Sequence, residues 1–126
     1  MIGEEMINAA TAISGSGPAY IFDFMERNKL RPPDIAEHTK RDLMKRLERA
    51  AESVGFSRED ATFLAANTTN TSLMLVSATK LTPAELKKQV TSKGGTTEAA
   101  LAALEKTGSW EDAARAALKR AGELSK

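Results

Sequence analysis

The 126 residues carry a formal net charge of +1, with 41% hydrophobic and 28% charged side chains. That composition suits one globular domain with a modest core, and it excludes disorder and any global pull toward nucleic acid or membrane. With no cysteine and a single histidine, His38, the chain has no means for disulfides, thiolate chemistry or a multi-histidine metal site.

No apolar run approaches the ~18 residues of a membrane span. The start, Met1-Ile2-Gly3-Glu4-Glu5-Met6, is acidic where a signal peptide is basic and then apolar, so a cytoplasmic protein is expected. Boundary signals along the chain are helical, and no sustained period-two strand pattern appears. A short first helix is predicted from Ile2 to about Ala10. Ser14-Gly15-Ser16-Gly17-Pro18 reads as a turn, with Pro18 at the first position of a second helix. That helix carries Tyr20, Phe22, Phe24 and Met25, and should stop by Leu30 or Arg31, ahead of Pro32-Pro33. Tyr20 and Phe24, four residues apart, read as core.

Asp34 is a fitting N-cap for the stripe Ile35, Leu43, Leu47, Ala50, Ala51 and Val54, which Gly55 closes as a left-handed cap. Ser57-Arg58-Glu59-Asp60 resembles a capping box and starts a helix reaching about Thr79. Thr82-Pro83-Ala84-Glu85 is a clean start with cap, proline and reciprocal glutamate. A further helix, Thr97 to Lys106, ends at Gly108, and Ser109-Trp110-Glu111-Asp112 opens a last one to about Leu124. Trp110 is expected to pack against the preceding helix. Seven helices and no sheet, an all-α domain, is the expectation. Short helices rich in Ala, Gly, Ser and Thr bury little apolar area each, which suits association with a second copy.

The richest stretch for function is Thr91-Ser92-Lys93-Gly94-Gly95-Thr96-Thr97-Glu98. Two glycines permit a tight turn, and the helix that follows presents unpaired N–H groups and a positive dipole end to an anion. The plainer reading is that Thr96 or Thr97 merely caps its own helix.

Thr11-Ala12-Ile13-Ser14-Gly15-Ser16-Gly17-Pro18-Ala19-Tyr20, followed at a distance by Val90-Thr91-Ser92-Lys93-Gly94-Gly95-Thr96-Thr97, resembles the C-terminal part of pyrroline-5-carboxylate reductase. Gly55-Phe56-Ser57-Arg58-Glu59-Asp60-Ala61, Pro83-Ala84-Glu85-Leu86 and Leu101-Ala102-Ala103-Leu104-Glu105 fit the same family. The resemblance implies a helical dimerisation domain interlocked with a second copy. It implies hydride transfer from NADPH or NADH, bound by a separate Rossmann domain, to the imine of pyrroline-5-carboxylate, giving proline. Substrate contacts fall on Ser92, Gly94, Gly95 and Thr96, with Thr97 hydrogen-bonding the ring nitrogen as the catalytic hydroxyl. The loop Ser14, Gly15, Ser16 and Gly17 would line the cleft.

The chain departs from that pattern in two ways. Gly15-Ser16-Gly17 lacks the strand and final glycine of a dinucleotide fingerprint, so no cofactor is expected on this chain and no reductase activity from it alone. Where the family has one uninterrupted helix, residues 27–46 form an insertion of about twenty residues with seven Lys/Arg and three Asp/Glu. Together these departures point to an excised or engineered piece. The insertion folds back to complete the core within one chain, projects as a hairpin from an interlocked dimer, or lets domains exchange through a strained hinge. Its basic side chains, lacking interleaved aromatics, read as a solvated helix face rather than a nucleic-acid site, with His38 exposed among them. The expected partners are a second copy and proline or pyrroline-5-carboxylate. The rival reading is a helical interaction scaffold with no ligand site.

Overall fold

The computed structural model describes residues 3–31 and 35–125. The expectations placed on Ile2, Pro32-Pro33 and Asp34 lie outside the described residues. Within them the chain is all α: α1 Glu4–Ala10, α2 Gly17–Arg27, α3 Glu37–Ser53, α4 Arg58–Ala78, α5 Pro83–Gln89, α6 Thr96–Thr107 and α7 Trp110–Leu124.

The starts follow side-chain chemistry. Ser57 Oγ accepts from Asp60 N–H, and Ser109 Oγ accepts from Asp112 N–H. Thr82 and Glu85 complete a reciprocal box: Glu85 N–H donates to Thr82 Oγ1 at 3.1 Å and Thr82 N–H to Glu85 Oε1 at 3.0 Å. The Thr82 N–H bond to the carboxylate, helped by the Thr82 hydroxyl, holds the Glu85 carboxyl below its ordinary range. Gly55 and Gly108 take the left-handed conformation expected of them at helix ends.

Two expectations are corrected and one is sharpened. The segment 11–15 is not a free turn but one wide turn of π helix that carries α1 into α2, with Ser16 N–H donating to Thr11 O. The second helix ends at Arg27, within the expected bound of Leu30 or Arg31. There Lys29 adopts φ +54°, Leu30 N–H reaches back to Met25 O and Lys29 N–H to Glu26 O, which is a Schellman ending with lysine in the glycine place. Third, α3 starts at Glu37 with Ala36 at its cap position and no side-chain cap bond, so the half-buried Ile35 precedes the helix instead of belonging to its stripe.

Residues 37–46, assigned to the insertion, form the first half of α3 and run unbroken into 47–53. This helix packs against α4 and α7, and Leu43, Leu47, Ala50 and Ala51 are fully buried within the chain. The core is thus closed by the chain's own α3 together with Ile13, Tyr20, Ile21, Phe22 and Met25. A row of alanines, Ala113, Ala114, Ala117 and Ala121, brings α7 close to α6 and α3. Trp110 is buried as expected, but its ring meets Tyr20 of α2 at 5.9 Å rather than resting only on the preceding helix. The Arg46 guanidinium stacks 5.2 Å from the Phe24 ring and 6.0 Å from Trp110. Asp23, almost buried on α2, accepts from Arg27 Nε at 2.8 Å and from Lys87 Nζ at 3.2 Å, tying α2 to α5. Burial alone would lower the Lys87 ammonium; its bonds to Glu26 and Asp23 outweigh that and raise it.

Candidate functional site

The π turn decides where the first motif points. By giving Ser16 N–H to Thr11 O, it strips Ala12 O of the partner an α-helix would supply. The buried Tyr20 hydroxyl takes over, donating to Ala12 O at 2.9 Å. Burial pushes the Tyr20 phenol well above its ordinary range, and the nearby Ser16 hydroxyl opposes this only in part. Ser16 is fully buried, and its Oγ lies 2.9 Å from Thr97 Oγ1 and 3.3 Å from Thr96 Oγ1. The two motifs, some eighty residues apart in sequence, therefore meet through hydroxyls.

The second motif is a turn built on backbone bonds. Gly95 N–H donates to Ser92 O at 3.1 Å, and Gly94 has φ +75°, a region open to glycine and strained for other residues. Gly95 is glycine for space: a Cβ there would stand 2.5 Å from Ser92 Oγ and 3.3 Å from Ser92 O. The capping reading of Thr96 and Thr97 fails. Gly95 holds the cap position without a side-chain bond, and both threonines lie inside the first turn of α6 with hydroxyls turned to Ser16. The first backbone bond of α6 is Ala99 N–H to Gly95 O. The N–H groups of Thr96, Thr97 and Glu98 precede it and form the positive end of a twelve-residue helix.

Two residues to which the sequence reading gives no role hold this turn. Glu98 Oε1 accepts from Gly94 N–H at 3.0 Å, and Arg120 of α7 donates through Nε to Gly94 O at 2.9 Å. Glu98 sits four residues after Gly94, a spacing that sequence reasoning can flag. Arg120 comes from the far end of the chain and leaves no local signal.

The predicted site residues do not share one cavity. Gly94, Gly95, Glu98 and Arg120 line a shallow depression of about 320 Å³ on the outer side of the turn. Ser14 and Gly15 are exposed and line a separate groove between α1 and α4. Ser16 and Thr97 line neither, Thr97 only 6% exposed, while Ser92 is open to solvent. Gly17 packs on Thr68 and Leu47, where a Cβ would approach to 3.1 Å, so it serves as a packing corner. Among the described residues no group of His, Asp and Glu could hold a metal ion, and no helix is long and apolar enough to cross a membrane.

The sequence model described as pyrroline-5-carboxylate reductase dimerisation matches residues 42–124. The chain is 36% identical over 125 residues to a pyrroline-5-carboxylate reductase of Pseudomonas aeruginosa, covering 97% of this chain and 39% of that protein. It is 39% identical over 126 residues to the reductase of Arabidopsis thaliana, covering 97% and 38%. To pyrroline-5-carboxylate reductase 2 of Bacillus subtilis it is 33% identical over 105 residues, covering 83% and 31%. The chain thus spans less than half the length of these relatives. No solved structure gives a significant match.

Proposed function

The chain belongs to the pyrroline-5-carboxylate reductase family, and from that membership we propose that it is a subunit-pairing part that also holds the substrate's carboxylate, with the hydride donor bound by polypeptide outside this chain. The observation that carries the reading is the Ser16–Thr97 contact of 2.9 Å, which seats both family-like motifs at the N-terminus of α6.

In this reading a five-membered cyclic imino acid places its carboxylate against the turn 92–96, where the helix dipole and free N–H groups favour negative charge. Thr97 then serves the ring nitrogen. A hydroxyl has one proton and two lone pairs, so when Ser16 donates to Thr97, the Thr97 proton is left for the imine. Arg120 and Glu98 fix the Gly94 peptide between them, so the donors are oriented before the guest arrives. The hydride chemistry belongs to the cofactor, and the task of this chain is orientation.

A helical scaffold without a ligand site is the second reading, favoured by Glu98, whose carboxylate already takes the Gly94 N–H. Titration of the labelled chain with proline separates the two. Amide resonances of Gly94 to Thr97 moving in a saturable way support the site; unmoved resonances at millimolar proline leave the scaffold. The chain alone should not oxidise NADPH in the presence of pyrroline-5-carboxylate, and turnover without added protein would overturn the division of labour.

A further inference from the structure

Between α2, α3 and the α6–α7 junction, Asp23, Phe24, Arg27, Arg46 and Trp110 help to wall a cavity of about 300 Å³. It shares no residue with the depression at Gly94 or with the groove between α1 and α4, so its chemistry is independent of the function proposed above.

Arg46 is held on two sides. Its guanidinium lies 5.2 Å from the Phe24 ring and 6.0 Å from the Trp110 ring, and its Nε donates to Asp42, one turn earlier, at 3.0 Å. Arg27 follows Phe24 by three residues, a neighbour on the face of α2, and donates through Nε to Asp23 at 2.8 Å. Neither arginine bonds any further residue among the described ones. A guanidinium has five N–H donors, so even a two-pronged bond to its aspartate leaves about three on each. Asp23 is satisfied in its turn, since its other oxygen accepts from Lys87 Nζ at 3.2 Å. The cavity wall therefore sets two arginines with donors to spare against one aspartate already engaged.

The number of donors selects the anion. A carboxylate offers two oxygens, which a single guanidinium fork saturates. A phosphate monoester offers three peripheral oxygens and a charge of about −1.5 to −2 at neutral pH, enough to engage both forks. Ring stacking and the Asp42 bond hold the Arg46 fork in place before a guest arrives, which lowers the cost of ordering it. We propose that this cavity binds the phosphate group of a small phosphate monoester between Arg27 and Arg46.

The single tryptophan of the chain, Trp110, lies beside Arg46 and reports occupancy through its fluorescence. The test is titration with inorganic phosphate and with glycerol phosphate, ionic strength being held constant with sodium chloride. Both should shift Trp110 emission in a saturable way and raise Tm, the ester binding at least as tightly as the free ion, while succinate does neither. Arg27→Lys and Arg46→Lys keep the charge but lose the fork, and each should weaken phosphate binding on the order of 10-fold. Arg115→Lys, at a surface arginine of α7 paired with Asp112, should bind as the wild type does. Should Arg46→Lys lose its helical circular dichroism, Arg27→Lys, which leaves both rings untouched, carries the test. No saturable response at tens of millimolar phosphate would overturn the site. Undiminished binding by the folded lysine variants would remove it from this cavity. Succinate binding as tightly as phosphate, or glycerol phosphate failing to bind where the free ion does, would refute the choice of a phosphate monoester.

Discussion

Removing the Ser16 hydroxyl tests the contact on which the site reading stands. Ser16 is fully buried and Thr97 nearly so, and their hydroxyls lie 2.9 Å apart. In Ser16→Ala the Thr97 hydroxyl loses its partner at a place water hardly reaches, an orphaning that costs about 1–3 kcal/mol. Thr97→Val should cost less, about 0.5–1.5 kcal/mol, because Ser16 keeps Thr96 Oγ1 at 3.3 Å as an alternative. The double variant removes both groups and leaves nothing orphaned, so it should be no less stable than Ser16→Ala alone. The pair would then couple by about 1 kcal/mol. Urea unfolding followed by helical circular dichroism measures all four corners of the cycle, with an unchanged slope showing that the same surface is exposed. Additivity within about 0.3 kcal/mol would mean that the two hydroxyls do not bond, and the meeting of the motifs would lose its physical basis.

Other outcomes follow from single features. Gly95→Ala forces a Cβ to 2.5 Å from Ser92 Oγ; Ser92 is exposed and can rotate, so a loss of about 1 kcal/mol is expected, seen as a Tm lower by roughly 3–5 °C and partly restored by adding Ser92→Ala. Lys29→Gly relieves a left-handed lysine at φ +54°; a strain of about 1–2 kcal/mol less glycine's entropic cost of about 0.5–1 kcal/mol leaves a gain of up to about 1.5 kcal/mol, and a lower urea midpoint would contradict the Schellman ending. Thr69 Oγ1 is buried without a partner, so Thr69→Val should stabilise by about 1 kcal/mol, whereas destabilisation would show that the hydroxyl is bonded. The single tyrosine, Tyr20, is held neutral by burial; since its folded pKa lies above its unfolded one, stability from this group is complete below the unfolded value of about 10 and falls as pH rises beyond it. Phenolate absorbance should therefore appear together with loss of helix, and ionisation in a folded chain would refute the Tyr20–Ala12 bond.

Most of the helix starts could be read because their chemistry is local. Ser57, Thr82 and Ser109 each bond an N–H three residues on, within a window that the sequence itself displays. Endings are readable where glycine marks them, at Gly55 and Gly108, and only bounded near Lys29, where the backbone bonds of Leu30 and Lys29 hold the left-handed turn with a residue that does not advertise it. The π turn was misread for a related reason. Gly15 and Gly17 suggest a loop, but the turn's shape is settled by Tyr20, whose hydroxyl satisfies the carbonyl that the wide turn releases. The turn at Gly94 could be placed from its two glycines and the helix after them. Its bracing by Arg120 and the Asp23–Lys87 link join residues distant in sequence, so neither appears in any local pattern.

The same bonds explain why the hydroxyls of Ser16 and Thr97 and the turn at Gly94 are positioned by the interior. Ala12 O is free because one extra residue widens the turn, Tyr20 comes in to satisfy it, and Tyr20 is fixed in turn by the Trp110 ring 5.9 Å away. That fixes the first turn of α2, where Ser16 stands, and Ser16 holds Thr97 at the head of α6. From the other side, Arg120 on α7 holds Gly94, so the turn is gripped by the helix whose first residue is Trp110. A shift of α7 relative to α2 would move Trp110 and Arg120 together, and would change the Tyr20 contact and the Gly94 peptide in one step. Stability and the geometry of the Gly94 turn are therefore coupled in this chain through α7. A substitution at Ala117, buried on α7 between those two residues, should disturb both, while a charge placed at the exposed Met74 of α4 should disturb neither.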